Sequence, residues 1–306
     1  MKNSAIHASA GKFSLKEIAY PTPRYNEAII KVNAISLNRG EVRTAFSKKE
    51  EWIPGWDLAG TVVQPAEDGN GPQEDSRVVG FLPSGAWSQY VAVKTDSLAI
   101  LPDNVSNEQA STLPVAGLTA LLTLAKGGQL LGKKVLITGA TGGVGVFAVQ
   151  LAALSGAHTV AVVRSKGDVE MIRSLGADEI IQSIDDSKDT FALIIDSIGG
   201  DVIGKLIQKV APYGTLVTFG NSSEKPEACY TVTSMYRSSV SLYGFILFNE
   251  LKTESASSAL TRLANLISRG KLRTIIEKET PWTEVQQVAE QLMDRKFRGK
   301  AVLHVS

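Results

Sequence analysis

The sequence predicts an α/β protein with two domains, one barrel-like and built of short strands, the other a doubly wound parallel sheet. Three observations predict this class. Short β-type runs separated by glycine, proline and polar turns fill residues 1–100. Apolar strands alternate with helices from about residue 133 onward. The length of 306 residues exceeds what one hydrophobic core usually organises.

The barrel-like domain is predicted from four short strands, at residues 27–35, 57–64, 76–82 and 88–94. Ser106 and Gln109 then fit a helix capping box, and Pro114 is predicted to end that helix. A second helix follows Pro114 and ends at Gly127, because left-handed caps favour glycine.

The second domain is predicted from the alternation that follows. Its strands are expected at 133–138, 158–163, 179–181, 192–196 and 215–220, and its helices at 144–155, 168–175 and 201–210. The apolar run 239–247 is predicted to be one more strand, at the edge of the sheet or inside it. Helices are expected at 254–269 and 282–294, and the strand-like run 297–305 is predicted to return to the first domain.

Composition and charge exclude several classes of function. Apolar residues make up 43% of the chain and charged residues 21%, as in ordinary soluble globular proteins. The net charge of +1, without a basic stripe, argues against nucleic-acid binding. No run approaches the roughly 20 apolar residues of a membrane span, and the amino terminus lacks the apolar core of a secretory signal. We therefore expect a cytoplasmic protein.

Metal chemistry is not expected from the metal-ligating residue types. The single cysteine, Cys229, excludes an internal disulfide and a zinc site made of several cysteines. The three histidines, His7, His158 and His304, have no potential ligands at metal-site spacing beside them, so we expect each to be packed or solvated.

Residues 138–145 read TGATGGVG and join a predicted strand to a predicted helix. A tight turn needs a residue without Cβ, and close approach of the backbone to a pyrophosphate needs another. The amino terminus of the helix adds unpaired N–H groups and a positive dipole end. We therefore expect this turn to bind a nucleotide's phosphates through Gly139, Thr141, Gly142, Gly143, Val144 and Gly145. S-adenosylmethionine enzymes use similar turns, so the residues at the end of the second strand have to distinguish a dinucleotide site from a site for S-adenosylmethionine.

That second strand ends in Arg164-Ser165-Lys166. An NAD site usually places Asp or Glu there for the ribose 2′-hydroxyl. Arginine and lysine would instead pair with a 2′-phosphate. The sequence therefore favours NADP(H) over NAD(H), although Lys166 would also be unremarkable as a solvated surface cation.

Seven segments together resemble the medium-chain dehydrogenase/reductase superfamily. They are SLNRGEV (36–42), IPGWDLAGTV (53–62), GAWSQYVAV (85–93), LPVAGLTAL (113–121), VLITGATGGVGVFAVQLA (135–152), LIIDSIGG (193–200) and FRGKAVL (297–303). Within the superfamily they are most similar to the zinc-independent, quinone oxidoreductase-like branch, which includes zeta-crystallin-type proteins. Trp56-Asp57 stand where zinc members carry Gly-His-Glu, so no metal is expected.

The resemblance implies a GroES-like β-barrel domain at 1–113 and 273–306 and a Rossmann domain at 114–272. It also implies NADPH in the cleft between the domains, and a homodimer formed by edge strands of the Rossmann sheets. Beside the glycine turn, it places near the cofactor the residues Thr119, Gly220, Asn221, Phe245, Ile246, Leu247 and Lys300. For Lys300, a surface Gly-Lys turn that binds nothing is an equal alternative.

The expected chemistry is hydride transfer from NADPH to a quinone or an α,β-unsaturated carbonyl compound. Such an acceptor becomes an oxyanion, which hydrogen-bond donors would stabilise. The resemblance points to Asn38 as such a donor, with capping of a local turn as the alternative. Arg43 falls near a position where quinone reductases often have tyrosine, which leaves the proton donor open. Phe46 and Trp52 would line an apolar wall for the acceptor or pack in the core.

Two alternatives remain open from the sequence. An acyl-thioester enoyl reductase is a close variant, but no long basic groove for a carrier is visible. A non-catalytic NADPH-binding protein of the same fold, with a structural or redox-sensing role, is the second alternative, because the tyrosine near position 43 is missing.

Overall fold

The structure is a computed structural model that describes residues 2–306. The chain forms two compact units, the first comprising the chain up to Leu118 together with Leu251–Ser306, the second Thr119–Glu250. These limits differ from the predicted boundaries at 113 and 272. The helix at Ala256–Ser268 packs on strands of the first unit, and Ser255 Oγ donates to the Asp96 carbonyl at 2.9 Å.

The strands and helices are numbered in chain order. The strands are β1 (Asn3–Ser9), β2 (Lys12–Ile18), β3 (Glu27–Ser36), β4 (Asp57–Gln64), β5 (Arg77–Phe81), β6 (Tyr90–Lys94), β7 (Leu98–Ile100), β8 (Lys134–Ile137), β9 (His158–Val162), β10 (Glu179–Ile181), β11 (Phe191–Asp196), β12 (Val210–Thr218), β13 (Ser241–Gly244), β14 (Ile276–Pro281) and β15 (Lys300–His304). The helices are α1 (Arg39–Ser47), α2 (Asn107–Ser111), α3 (Leu118–Ala125), α4 (Gly143–Leu154), α5 (Val169–Ser174), α6 (Val202–Gln208), α7 (Val232–Tyr236), α8 (Leu247–Glu250), α9 (Ala256–Ser268) and α10 (Val285–Met293).

The first unit is a mainly antiparallel sheet in the order β14-β15-β3-β4-β5-β7, with β6 also paired to β3 and a separate β1–β2 hairpin. The predicted strands at 27–35, 57–64, 76–82 and 88–94 correspond to β3, β4, β5 and β6. Strand β15 pairs with β3 and with β14. Apolar side chains of the sheet and α10 form one core around Trp87 and Trp282.

The second unit is a six-stranded parallel sheet in the order β10-β9-β8-β11-β12-β13. Counted within the unit this is the order 3-2-1-4-5-6, which is that of dinucleotide-binding sheets. The strand order reverses between β8 and β11, so ligands of such sheets bind at the carboxyl ends of these two strands. The predicted fold class, with a strand-rich part and a doubly wound parallel sheet, is confirmed.

Two predicted boundaries were wrong. Pro114 does not end the helix, because a π-helical turn at Leu113–Gly117 joins α2 to α3, and Pro114 lies in the first turn, where its missing N–H costs no bond. The predicted strand 239–247 is shortened to β13, whose four residues are all exposed. It is an edge strand, and Phe245 begins the turn into α8.

Candidate functional site

The glycine turn lies between β8 and α4 at the point where the strand order reverses. Gly139 has a φ of 61°, and its carbonyl accepts a hydrogen bond from the Gly142 N–H at 3.0 Å. A Cβ on Gly145 would lie 2.2 Å from the Gly139 carbonyl oxygen, so helix and turn pack backbone to backbone. Gly142 is exposed, and Gly143 and Val144 are partly exposed. The first amides of α4 therefore face solvent, where an anionic group can reach them.

Strand β9 ends beside this turn and leads into the predicted cationic residues. Arg164, Ser165 and Lys166 are all exposed. Ser165 Oγ accepts a hydrogen bond from the Gly167 N–H at 3.2 Å, which makes Ser165 the cap of a 3-10 turn. Within residues 2–306, neither Arg164 nor Lys166 pairs with a carboxylate. Both cations are available to an anion from solvent.

Strand β12 carries the predicted residues Gly220 and Asn221 beyond its carboxyl end. Asn221 Oδ1 accepts from Ser223 Oγ at 2.9 Å, which shapes this turn. Directly after the neighbouring strand β13, the Phe245 N–H donates to the Thr218 carbonyl at 2.9 Å. Phe245 and Leu247 are buried, whereas Ile246 is 57% exposed.

Thr119 is buried in α3, and its carbonyl accepts from Thr123 Oγ1 at 2.7 Å. In the described part of the chain, this hydrogen bond stays within α3, and no side-chain hydrogen bond joins Thr119 to the glycine turn. Its predicted role at the cofactor stays a prediction.

Asp196 is the residue at this edge that sequence reasoning missed. It ends β11 between β8 and β12, and it is fully buried. Its carboxylate accepts from Thr138 Oγ1 at 2.7 Å and from Thr218 Oγ1 at 3.4 Å. The available signal was the polar residue that closes the apolar run LIID, because carboxyl ends of parallel strands carry functional side chains.

A buried polar cluster surrounds Asn38 in the first unit. Asn38 Nδ2 donates to Asp57 Oδ2 at 2.8 Å and to Glu41 Oε1 at 3.1 Å, and Asn38 Oδ1 accepts from Lys300 Nζ at 2.6 Å. Ser36 Oγ also donates to Asp57 Oδ2 at 2.6 Å. We call Ser36, Asn38, Glu41, Asp57 and Lys300 the Asn38 cluster. All five side chains are buried.

Lys300 completes this cluster from the other end of the chain. Its ammonium donates to the Leu37 carbonyl at 2.9 Å, to Asn38 and, at 3.3 Å, to Asp57, and only 2% of the residue is exposed. All three N–H donors are therefore used inside the first unit. The geometry favours a role in the cluster over the predicted contact with the cofactor.

Glu41 shares the cluster with a second carboxylate. Burial raises the pKa of Glu41 to about 8, with a further increase from the negative charge of Asp57; Lys300 and hydrogen bonds from Asn38 oppose the shift. The Trp56 N–H also donates to Glu41 Oε2 at 2.9 Å. Asp57 Oδ1 accepts from the Val115 N–H at 2.9 Å, as expected of a residue that fixes a loop.

The predicted acceptor-lining residues lie on and after α1. Phe46 packs edge-on against Phe13 at 6.1 Å between ring centroids, and Trp52 lies 5.2 Å from the Lys48 ammonium. Ring contacts among residues 2–306 do not join Phe46 to Trp52. Arg43 is partly buried on α1. Each of the two aromatic rings thus contacts a neighbouring side chain, and the predicted role of Phe46 and Trp52 at the acceptor stays a prediction.

In the described part of the chain, one group of side chains could hold a metal ion. Its members are Glu108, Glu279 and His304. His304 Nε2 lies 3.0 Å from Glu279 and its Nδ1 lies 3.6 Å from Glu108. These direct contacts explain why the three side chains lie together without a metal ion. Cys229 is exposed. Across residues 2–306, every helix is too short or too polar to cross a membrane.

Comparison with known proteins assigns each unit. A family model described as an alcohol dehydrogenase GroES-like domain matches residues 24–103, and one described as a zinc-binding dehydrogenase matches residues 143–265. A chloroplast envelope quinone oxidoreductase homolog from Arabidopsis thaliana is 30% identical, over 94% of this chain and 92% of its own. A 2-methylene-furan-3-one reductase from Solanum lycopersicum is 28% identical, over 94% of this chain and 74% of its own.

A solved structure, that of the quinone oxidoreductase from Coxiella burnetii, matches with a TM-score of 0.86 and 25% identity, over 100% of both chains. The GroES-like and Rossmann-type parts predicted from the sequence are confirmed by these matches.

Proposed function

The chain belongs to the medium-chain dehydrogenase/reductase family, and we propose that it is a reductase that transfers hydride from NADPH to a quinone or an α,β-unsaturated carbonyl compound. The observation that carries the choice of cofactor is the pair of exposed cations, Arg164 and Lys166, beyond the second strand of a parallel sheet whose first strand leads into a glycine turn. The family and the Rossmann-type unit support an NAD(P) cofactor, and the two cations are our reason for NADPH.

The glycine turn would hold the pyrophosphate through the amides of Gly142, Gly143 and Val144, with the positive end of the α4 dipole behind them. Arg164 would pair with the 2′-phosphate through its planar guanidinium, and Lys166 would add a second charge. Ser165 would hold this segment in place, because it caps the turn that begins at Lys166.

The choice of acceptor is supported by the names of the relatives, a quinone oxidoreductase homolog and a reductase of a methylene-furanone. When bound, NADPH supplies the hydride, so the protein has to orient the acceptor and stabilise its oxyanion. Asn38 would serve as one donor by exchanging its longer bond, to Glu41, for one to the acceptor oxygen. Arg43 would serve as the other, since a guanidinium carries five N–H donors. Phe46 and Trp52 remain our proposed contacts for an aromatic acceptor.

We propose that the protein forms a homodimer through β13. Its residues are exposed, and it has no further strand partner in residues 2–306. Leu242 and Tyr243 are each 36% exposed, and Val232 and Tyr236 of the preceding helix are exposed as well. An open strand edge flanked by apolar side chains is a template for pairing with a second copy. Sedimentation should give a dimer for the wild type and a monomer for Leu242→Lys, and a wild-type monomer would contradict the proposal.

A cytoplasmic location stays a prediction. The Arabidopsis relative is named for the chloroplast envelope, so its name does not support a cytoplasmic location.

The testing experiment follows the loss of NADPH absorbance with a panel of quinones and enones, and measures NADPH and NADH affinities in parallel. We expect Arg164→Ala to weaken NADPH binding by about tenfold to a hundredfold, the scale of one hydrogen bond between charged groups, and to leave NADH binding unchanged. Arg173→Ala is the matched control, because Arg173 is an exposed arginine of α5 in the same unit whose partner is Glu170.

The outcomes separate the two functions left open by the sequence. Turnover with NADPH, and a loss of cofactor preference in Arg164→Ala but not in Arg173→Ala, would support the reductase. Tight NADPH binding without oxidation by any acceptor would favour the non-catalytic binding protein. Equal use of NADH by the wild type would contradict our assignment of Arg164 and Lys166.

A further inference from the structure

The carboxylate of Asp196 joins the ends of three neighbouring strands. Besides the hydroxyls of Thr138 and Thr218, it accepts the backbone N–H groups of Ile198 at 3.2 Å and Gly199 at 2.9 Å. Thr138 directly precedes Gly139 of the glycine turn, and Thr218 lies two residues before Gly220. One side chain therefore connects two segments that are both proposed to lie at the cofactor, the glycine turn and residues 219–223, which we call the Gly220 segment.

The next residue, Ser197, fills the space between these segments. Its N–H donates to Thr138 Oγ1 at 3.0 Å, and its carbonyl accepts from the Ser222 N–H at 3.1 Å. A Cβ on Gly139 would lie 2.3 Å from Ser197 Oγ, and a Cβ on Gly220 would lie 2.7 Å from the Ser197 carbonyl oxygen. Both glycines are thus in direct contact with the residue that Asp196 holds in place.

The charge of Asp196 is not explained by an ion pair. Within residues 2–306 it pairs with no lysine, arginine or histidine, and it is fully buried. Burial raises the pKa of Asp196, and the four hydrogen bonds oppose that shift. A buried carboxylate disfavours folding unless hydrogen bonds satisfy it, and here four donors from three segments of the chain take the place of a cation.

We propose that Asp196 is a positioning residue for the nicotinamide cofactor, which fixes the separation between the glycine turn after β8 and the Gly220 segment after β12. The inference rests on the proposed cofactor site. Asp196 does not touch the cofactor in this proposal. It acts through Thr138, Thr218 and Ser197. A ligand that spans both segments binds well only when these residues hold the segments at the right separation.

The test compares Asp196→Asn with wild type on two ligands. NADPH spans both segments, whereas adenosine 2′,5′-bisphosphate carries only the adenosine half and reaches only the side of the glycine turn and Arg164. Asparagine keeps the size of the side chain but replaces one carboxylate oxygen by an NH₂ group. That group cannot accept the two hydrogen bonds that the oxygen accepts, so the connection between the segments is broken. The matched control is Asp178→Asn, because Asp178 also accepts a backbone N–H, that of Thr159 at 2.7 Å, at the start of β9.

We expect Asp196→Asn to bind NADPH at least about tenfold more weakly, the scale of one lost hydrogen bond to a charged group. Its affinity for the bisphosphate should change less than twofold (roughly the limit at which a difference is measurable), and Asp178→Asn should bind both ligands like wild type. An equal loss for both ligands, or no loss for NADPH, would overturn the proposal.

Amide hydrogen exchange of the ligand-free protein distinguishes failure of this proposal from failure of the proposed function. Asp196→Asn should speed exchange at residues 197–200 and 219–223 and leave β9 and β10 unchanged. If the wild type binds neither NADPH nor NADH, the proposed function fails, and the exchange pattern still decides whether Asp196 connects the two segments. Unchanged exchange at residues 197–200 and 219–223 would show that Asp196 does not hold these residues in place and would overturn the proposal.

Discussion

The two polar centres of this protein are built in opposite ways. The glycine turn of the second unit offers backbone N–H groups to solvent, and the Asp196 carboxylate, which binds Thr138 next to the turn, has no cationic partner among residues 2–306. The Asn38 cluster of the first unit is made of side chains, and it buries two carboxylates with one ammonium. The first arrangement is open and suited to an anionic ligand, whereas the second is closed on itself and satisfies its own charges. The glycine turn is thus open to a ligand as it stands, whereas Asn38 would have to give up a hydrogen bond within its cluster before it could donate to an acceptor.

The largest effect should come from removing the ammonium of the Asn38 cluster. We expect Lys300→Met to lower the free energy of unfolding by about 3–5 kcal/mol, because it leaves the buried carboxylate of Asp57 without its cation. Urea denaturation measures this. Lys16→Met, which removes an exposed partner of Glu51, should leave the midpoint unchanged. A small effect of Lys300→Met would mean that the cluster is not closed on itself.

The glycine turn should be broken by a single methyl group. In Gly145→Ala the new Cβ would meet the Gly139 carbonyl at 2.2 Å and Ala140 Cα at 2.6 Å, so the backbone has to move. We expect NADPH binding to weaken by roughly tenfold to a hundredfold, the scale of one lost hydrogen bond to a charged phosphate. Titration of NADPH into Gly167→Ala provides the control. The new Cβ would lie 3.5 Å from Ser165 Oγ, which is an ordinary contact distance. Wild-type affinity in Gly145→Ala would show that the turn does not hold the cofactor.

The pH dependence of stability should report the buried Glu41. Its pKa is raised from an ordinary 4.5 to about 8 in the folded protein, so between these values the folded state keeps a proton that the unfolded state releases. Stability therefore falls as pH rises from 4.5 to 8, by at most about 1.4 kcal/mol per pH unit, with no further loss from this group above that range.

Glu41→Gln should remove this slope, and unfolding free energies at several pH values between 5 and 8 would measure it. The exposed Glu17→Gln should keep the wild-type slope. The same slope in Glu41→Gln and wild type would mean that Glu41 is ionised in the folded protein throughout this range.

The smallest effect distinguishes the two hydroxyls that bind Asp196. Thr138 donates at 2.7 Å and Thr218 at 3.4 Å, so Thr138→Val should cost about 1 kcal/mol of stability and Thr218→Val clearly less. Thermal unfolding of the two variants compares them directly, since each replaces one hydroxyl by a methyl group. The reverse order would assign the main contact to β12 instead of β8.

The glycine turn could be predicted from the sequence because every determinant lies within about thirty residues, in a strand, a turn and a helix that follow one another. The alternation of strands and helices predicts a doubly wound sheet, and the order of the strands reverses within such a sheet. Asp196 was missed although its segment was recognised, because its partners Thr138 and Thr218 come from two other strands.

The Asn38 cluster could be predicted only in part. Asn38 was singled out, and the spacing to Glu41 is that of a helix start, since the Asn38 N–H donates to Glu41 Oε1 at 2.8 Å. The role of Lys300 could not be predicted, because its partner Asn38 is 262 positions away. Pairing over such a distance depends on the register of β15 against β3, and no local pattern encodes that register.

This distance has a consequence for synthesis of the chain. At about 5–20 residues per second, roughly 13–50 s separate Asn38 from Lys300 on the ribosome. During that interval β3 lacks its neighbour β15, and Glu41 and Asp57 lack the ammonium of Lys300. The second unit completes its last strand, β13, before β15 is made, so it can fold first. The order of domain folding is therefore expected to run against the order of translation, so that the first residues made are among the last to reach their final structure.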